Sequence, residues 1–320
     1  MRLSELAGIQ CEEKTFLVGD SSQMGWLAGK KKRVHLFALG DVGSMLLTGL
    51  KLLGADCLSE IGIYDVREHV TERFEFEMNQ ILPPGETHSL PPVRILPEDE
   101  LFDCDVFLFC ASLRVPPVGE GGDVRMAQFG ANSGLVRQIA GRAAAAGYPG
   151  LFAVVSDPVD PLCRVAVEAG IPAPRVKGFG LGVMRARAAY YAAREERFAS
   201  FLTEGRAFGP HGEDLVVANS LTHYDDVLSR ELTEKTVRAN LVMREMGFKP
   251  YIAPALSSGA HSVLAALRGE WHESSSWFDG IFFGARNRCT PSGIEVENPE
   301  LPEALFARCR RACENLKVIS

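Results

Sequence analysis

The sequence predicts an α/β protein in which a doubly wound parallel sheet is followed by a mixed α+β domain. Three observations carry that prediction. Apolar runs of strand length, clearest at Val34–Ala38, Ile61–Asp65, Val106–Cys110 and Leu151–Val155, alternate with stretches of helical character. These runs are nearly continuous in hydrophobicity, as strands covered by helices on both faces require. After about residue 175 the pattern changes to long helices separated by strand signals, so the second part is built differently from the first.

Taken in order, residues 1–32 read as an N-terminal arm in which only Thr15–Val18 looks strand-like. Lys30–Arg33 is a solvated lead-in to the first buried strand, since buried strands are commonly flanked by charge. A helix covers Met45–Leu53 between the strands at Val34 and Ile61. The prolines of Pro172–Arg175 end the preceding helix and mark a boundary, giving one domain over 33–173 and another over 174–320. In the latter, helices are predicted over Met184–Phe201, Thr233–Met246, His261–Leu267 and Leu301–Leu316, with strands at Asp214–Val217 and Gly280–Gly284.

The chain has 320 residues, 46% of them hydrophobic, enough to bury two moderate cores. A net charge of −7 argues against a nucleic-acid partner. No run approaches the roughly 20 apolar residues of a membrane span, and Met1–Gly29 lacks the pattern of a signal peptide, so no membrane partner and a cytoplasmic location are expected. The eight cysteines include no Cys-x-x-Cys and no histidine at ligand spacing, which predicts reduced thiols and no metal site. Cys309 and Cys313, one turn apart, are expected to be ordinary residues of the last helix. His223, His261 and His272 have no partner at ligand or triad spacing and are read as structural.

The strand at Val34 ends in Ala38-Leu39-Gly40-Asp41-Val42-Gly43 and opens a helix, and Asp65 ends the next strand about 20 residues on. Such a turn lets backbone amides approach a pyrophosphate at the positive end of the helix, and the acid accepts ribose hydroxyls. This is the Rossmann-type fingerprint, with Ala38 in place of its first glycine and Asp41 adding a carboxylate beside the phosphates. It makes 33–173 a dinucleotide-binding domain and Gly40, Asp41, Val42, Gly43 and Asp65 its NAD contacts. The charge of Asp65 opposes the extra phosphate of NADP. The other reading is a Rossmann-like domain whose glycines only make the turn.

Further motifs follow in order: Cys110-Ala111-Ser112-Leu113-Arg114 after a strand, Arg125 seven residues before Asn132, Ser156-Asp157-Pro158-Val159-Asp160, Val176-Lys177-Gly178-Phe179-Gly180 leading to Arg187, Gly209-Pro210-His211-Gly212-Glu213, and Phe282-Phe283-Gly284 with Gly293-Ile294-Glu295. In this order, from about Arg33 to the end, the chain resembles the lactate and malate dehydrogenase family. The resemblance implies an NAD-dependent oxidoreductase that interconverts a 2-hydroxy acid and a 2-oxo acid, commonly as a homo-oligomer, with residues 174–320 as the substrate and catalytic domain. By the same resemblance Arg187 clamps a small-molecule carboxylate, Arg125 polarises the ketone, His211 is the acid–base group, Arg114 binds a distal carboxylate, and Ala111 and Asn132 contact the cofactor. Ser257 and Ser258 line the substrate pocket on this reading, and a helix N-cap explains one of them equally well. NAD-dependent glycosidases share the superfold but need metal-ligating Cys and His after the sheet, which 178–184 does not supply.

Two positions depart from the family pattern. Met184 stands three residues before Arg187, where the family has the Asp that orients the histidine and stabilises its protonated form, and Asp157 replaces the Asn before Pro-Val-Asp. Three accounts are open: Asp157 reaches the imidazole and supplies the missing carboxylate; Asp157 selects a cationic substrate such as an iminium; or the site has drifted and no longer turns over. The last makes the chain a non-catalytic or regulatory dinucleotide-binding protein. A carboxylate within hydrogen-bond reach of His211 favours the enzyme, and an apolar shell around Met184 favours the alternative.

Overall fold

The apolar runs form the centre of a single sheet. A computed structural model describes residues 1–86, 89–113 and 124–319, except for the side chains of 124–127. The first part of the chain gives β1 (Thr15–Val18), β2 (Lys32–Phe37), α1 (Asp41–Leu53), β3 (Leu58–Tyr64), α2 (Glu68–Met78), β4 (Val93–Ile95), β5 (Val106–Phe109), α3 (Val124–Ala145), β6 (Leu151–Val154), α4 (Val159–Glu168) and β7 (Val176–Gly178). It continues through α5 (Leu181–Ala192), α6 (Phe201–Glu204), β8 (Arg206–Phe208), β9 (Val216–Ala218), α7 (Asp226–Glu245), α8 (Ser262–Arg268), β10 (His272–Phe278), β11 (Ile281–Thr290), β12 (Gly293–Glu297) and α9 (Glu303–Val318).

Among the described residues the large sheet has ten strands in the order β1-β12-β11-β10-β7-β6-β5-β2-β3-β4. The stretch from β7 to β4 is parallel throughout. It is the doubly wound arrangement expected, with its topological switch between β2 and β5, where ligands of such sheets bind beyond the carboxyl ends of the strands. The glycine turn after β2 and the Cys110–Leu113 segment after β5 both leave the sheet there. Phe107, Phe109 and Phe152 are fully buried under α3 and α4, which explains why β5 and β6 are apolar at every position.

The antiparallel strands continue from β7, where Gly178 pairs with Ser275 of β10, so the sheet is unbroken across the chain. β1 pairs with β12 from Thr15↔Glu297 to Val18↔Ile294, covering an edge that would otherwise expose unpaired backbone.

Several boundaries differ from the sequence expectations. The helix expected over Met184–Phe201 is α5, ending at Ala192, followed by a short turn and α6. Ion pairs of Glu195 to Lys235 and of Arg197 to Glu231 fold the 195–197 turn onto α7. The helix expected from Thr233 starts at Asp226 because the Asp225 carboxylate caps it, accepting from Leu228 N at 2.9 Å. The strand expected at Asp214–Val217 is β9 at Val216–Ala218. The short helix near His261 is preceded by a π-helical segment, Pro254–His261, in which Ala260 lies against Gly49 of α1. No helix among the described residues is long and apolar enough to cross a membrane.

Candidate active site

The glycine turn after β2 is held by the close contacts that such a fingerprint requires. A Cβ on Gly43 would lie 2.0 Å from the Ala38 carbonyl oxygen, so only glycine lets α1 pack this close to the end of β2. A Cβ on Gly40 would meet nothing within 4 Å, leaving space beside the first turn of α1, whose N–H groups lack intrahelical partners. The turn therefore fits a dinucleotide pyrophosphate. Ala38 has φ +78°, a left-handed conformation natural to the glycine it replaces.

Two stability predictions arise here. Gly43→Ala forces backbone apart and is expected to destabilise the fold by about 2 kcal/mol or more. Ala38→Gly relieves the strained φ against a loss of unfolded-state restriction and is expected to stabilise by up to about 1 kcal/mol. Urea unfolding midpoints of both variants test this; an unchanged Gly43→Ala midpoint would contradict the close approach.

Asp41 of the turn and Asp65 at the end of β3 each carry a cation. Asp41 is ion-paired with Lys249 at 3.0 Å, both exposed, so its carboxylate does not stand uncompensated beside the turn. Asp65 is buried, and its Oδ2 accepts from Leu39 N at 2.8 Å, tying the turn to the end of β3. Its remaining acceptor positions take Arg67 N, Nε and Nη2 at 2.9–3.0 Å. Burial raises the Asp65 carboxyl, but these donors outweigh it and hold the group below its usual range.

At the other side of the switch point, four segments meet around His211. β8 delivers the Gly209–Gly212 turn; Gly209 N donates to Gly284 O of β11 at 2.9 Å, and a Cβ on Gly284 would strike Gly209 O at 2.4 Å. The loop after β6 brings Asp157, whose Oδ1 lies 2.7 Å from His211 Nδ1. Asp160, in the first turn of α4, accepts from His211 N at 3.2 Å and from the Ser275 hydroxyl of β10, fixing the backbone that carries the imidazole. Asn132 of α3 is fully buried; its amide donates to Asp157 O at 2.8 Å and accepts from Leu113 N at 2.9 Å. Ser156 Oγ donates to Ala111 O at 2.6 Å, so the loops after β5 and β6 are held together.

Because a carboxylate can only accept, the Asp157 contact places the neutral imidazole proton on Nδ1 and leaves Nε2 as the basic atom. The His211 side chain is 11% exposed and that of Asp157 48%. A Cβ on Gly180 would lie 2.8 Å from His211 Cβ, so the start of α5 backs the ring. Met184, one turn further on, is buried with Val183, Ala188, Val217 and Leu232, an apolar cluster.

Arg187 donates from Nη1 to Met184 Sδ at 3.5 Å and from Nη2 to Asn240 Oδ1 of α7. Burial lowers its guanidinium while the charge of Asp157 opposes that, and an arginine remains protonated throughout. Ser258 is buried and bridges α5, accepting from Val183 N at 2.8 Å and donating to Gly180 O at 2.7 Å. Ser257 is partly exposed, and its carbonyl accepts from Ser262 Oγ at 2.8 Å. Arg114 and the Arg125 side chain lie outside the described residues.

His211, Asp157, Asn132, Ala111 and Arg187 are thus assembled around the strand ends, with Gly40–Gly43 and Asp65 across the switch. Asp160, Asn240, Arg67 and Lys249 were not among the expected site residues. Asp160 stands in the quoted Ser-Asp-Pro-Val-Asp motif and Arg67 follows Asp65 by two positions, so each had a local signal; Asn240 and Lys249 had none. Among the described residues no group of three or more His, Cys, Asp or Glu side chains converges as a metal site would. Cys309 and Cys313 are buried in α9, and burial raises both thiols, Cys313 to about 12.

No family model matches the chain. An L-lactate dehydrogenase of Treponema denticola is 30% identical over 197 residues, which cover 60% of this chain and 59% of that protein. The chain thus matches under two thirds of that relative's length. The minor L-lactate dehydrogenase of Enterococcus mundtii superimposes with a TM-score of 0.75 at 21% identity, over 90% of this chain and 97% of that one. The malate dehydrogenase of Picrophilus torridus gives 0.74 at 16%, over 91% and 97%. At such identities the solved structures speak for the fold, and the sequence match for kinship. In sequence and in fold, the chain resembles the lactate/malate dehydrogenase family.

Proposed function

We propose that the protein is an NAD-dependent oxidoreductase that interconverts a 2-hydroxy acid and a 2-oxo acid, with Asp157 in the role that the family gives to the residue at 184. The 2.7 Å contact between Asp157 Oδ1 and His211 Nδ1 carries this reading. NAD at the glycine turn supplies the hydride acceptor, and its reduced form the donor. Toward oxidation, Nε2 of His211 takes the hydroxyl proton, and the Asp157 carboxylate stabilises the resulting imidazolium. Asp160 keeps the ring in place through the His211 backbone. Arg187, braced by Asn240, binds the substrate carboxylate through its planar fork. Because Asp157 engages the imidazole, the first of the three accounts of the altered positions is favoured.

The buried apolar surroundings of Met184 favour the second reading, a dinucleotide-binding protein without turnover. NADH titration followed by a screen of 2-oxo acids for NADH consumption separates the two. Binding with turnover of at least one acid is expected. Tight NADH binding with no turnover on any acid, in a protein that unfolds cooperatively, leaves the binding protein.

A further inference from the structure

We propose that Arg67 makes the ribose end of the dinucleotide site accept a 2′-phosphate, so that the protein binds NADP(H) as well as NAD(H). This rests on reading the turn after β2 as a dinucleotide site. Four donors already occupy the Asp65 carboxylate: Leu39 N, Arg67 N, Arg67 Nε and Arg67 Nη2, all at 2.8–3.0 Å. A carboxylate offers about four acceptor positions, so it is saturated by the protein itself. Its side chain is 4% exposed against 52% for Arg67. What the chain presents to solvent at the end of β3 is therefore a guanidinium, with the acid behind it.

Two consequences oppose the selection that a lone aspartate exerts. The negative charge that repels a 2′-phosphate is matched at contact distance by Arg67. Arg67 Nη1 has no protein acceptor among the described residues, and a guanidinium can keep one edge on a carboxylate while offering another to a phosphate. Ribose hydroxyls, by contrast, reach Asp65 only by displacing an Arg67 donor. The neighbouring Val66 is 83% exposed and forms no wall against the added group.

Fluorescence titration of NADH and NADPH into the parent, Arg67→Gln and Arg67→Lys reads binding without requiring turnover. The parent is expected to bind NADPH within about tenfold of NADH. Arg67→Gln is expected to weaken NADPH by about tenfold or more while NADH is unchanged or tighter, and Arg67→Lys to recover part of the loss because charge remains and the fork does not. Added salt should weaken NADPH more than NADH in the parent. NADPH binding the parent about 100-fold more weakly than NADH, or both nucleotides losing equally in Arg67→Gln, overturns the proposal and leaves the dinucleotide site standing. If neither nucleotide binds the folded parent, the dinucleotide reading fails and this inference with it. The parent's own ratio decides even if Arg67→Gln does not fold.

Discussion

Asp157→Asn is expected to lower turnover by about 10³- to 10⁴-fold with little change in fold stability. An amide can hold the ring by a hydrogen bond, but it cannot carry the counter-charge of the imidazolium, and turned with its NH₂ toward Nδ1 it selects the wrong tautomer. In serine proteases the same Asp-to-Asn change behind the catalytic histidine costs about 10⁴ in turnover. Asp157 is half exposed, so its neutralisation leaves no buried unpaired group. Met184→Asp, the change that restores the family residue, is expected to give no gain or a loss. Position 184 is buried in an apolar cluster, where an added carboxylate costs several kcal/mol unless paired, and the cation it touches is Arg187, which is proposed to hold the substrate. A carboxylate there also competes with Asp157 for one imidazole. NADH oxidation by the parent, both single variants and the double variant, followed across the range where histidine titrates, decides the matter. A parent-like rate in Asp157→Asn, or a severalfold gain in Met184→Asp, would show that Asp157 is not the partner of His211.

Arg187→Lys is expected to weaken binding of an oxamate-like inhibitor, in the presence of NADH, by about 10- to 100-fold. The charge is kept, so the loss measures the planar fork, and one charged hydrogen bond is worth about 1.5–3 kcal/mol. The site is shaped for a guanidinium, with Asn240 Oδ1 and Met184 Sδ taking its inner donors. Lysine cannot satisfy these and reach a carboxylate together. Asn240→Ala is expected to raise KM with a smaller effect on kcat, because it loosens the clamp without touching His211. Equal inhibitor affinity in the parent and Arg187→Lys would remove Arg187 from the substrate site.

The unit from β2 through the glycine turn and α1 to β3 and Asp65 was legible because its signals are local. Apolar continuity, glycine spacing and an acid at a strand end follow from neighbouring residues, and tertiary contacts only tightened them, as Ala38 and Gly43 illustrate. β10 was not legible. Ser274, Ser275 and Ser276 are polar, yet they lie in the sheet because fully buried Lys177 and Asn287 need their partners: Lys177 Nζ meets Ser276 Oγ at 3.1 Å and Asn287 Oδ1 at 2.6 Å. Such a network is satisfied only after β7, β10 and β11 have come together.

By itself, the sequence determined the doubly wound class and the order of the motifs, since both depend on side-chain type and spacing along the chain. Tertiary structure alone decided which groups face one another. Asp157 and His211 are 54 residues apart, and their contact exists because β6 ends beside the turn that Gly209 and Gly284 allow to close. Thr15–Val18 becomes a strand by pairing with β12, and Arg187 gains Asn240 from a helix 53 residues on. These are loop-closure and packing outcomes, in which a contact far along the chain forms only once the sheet has brought its two segments together.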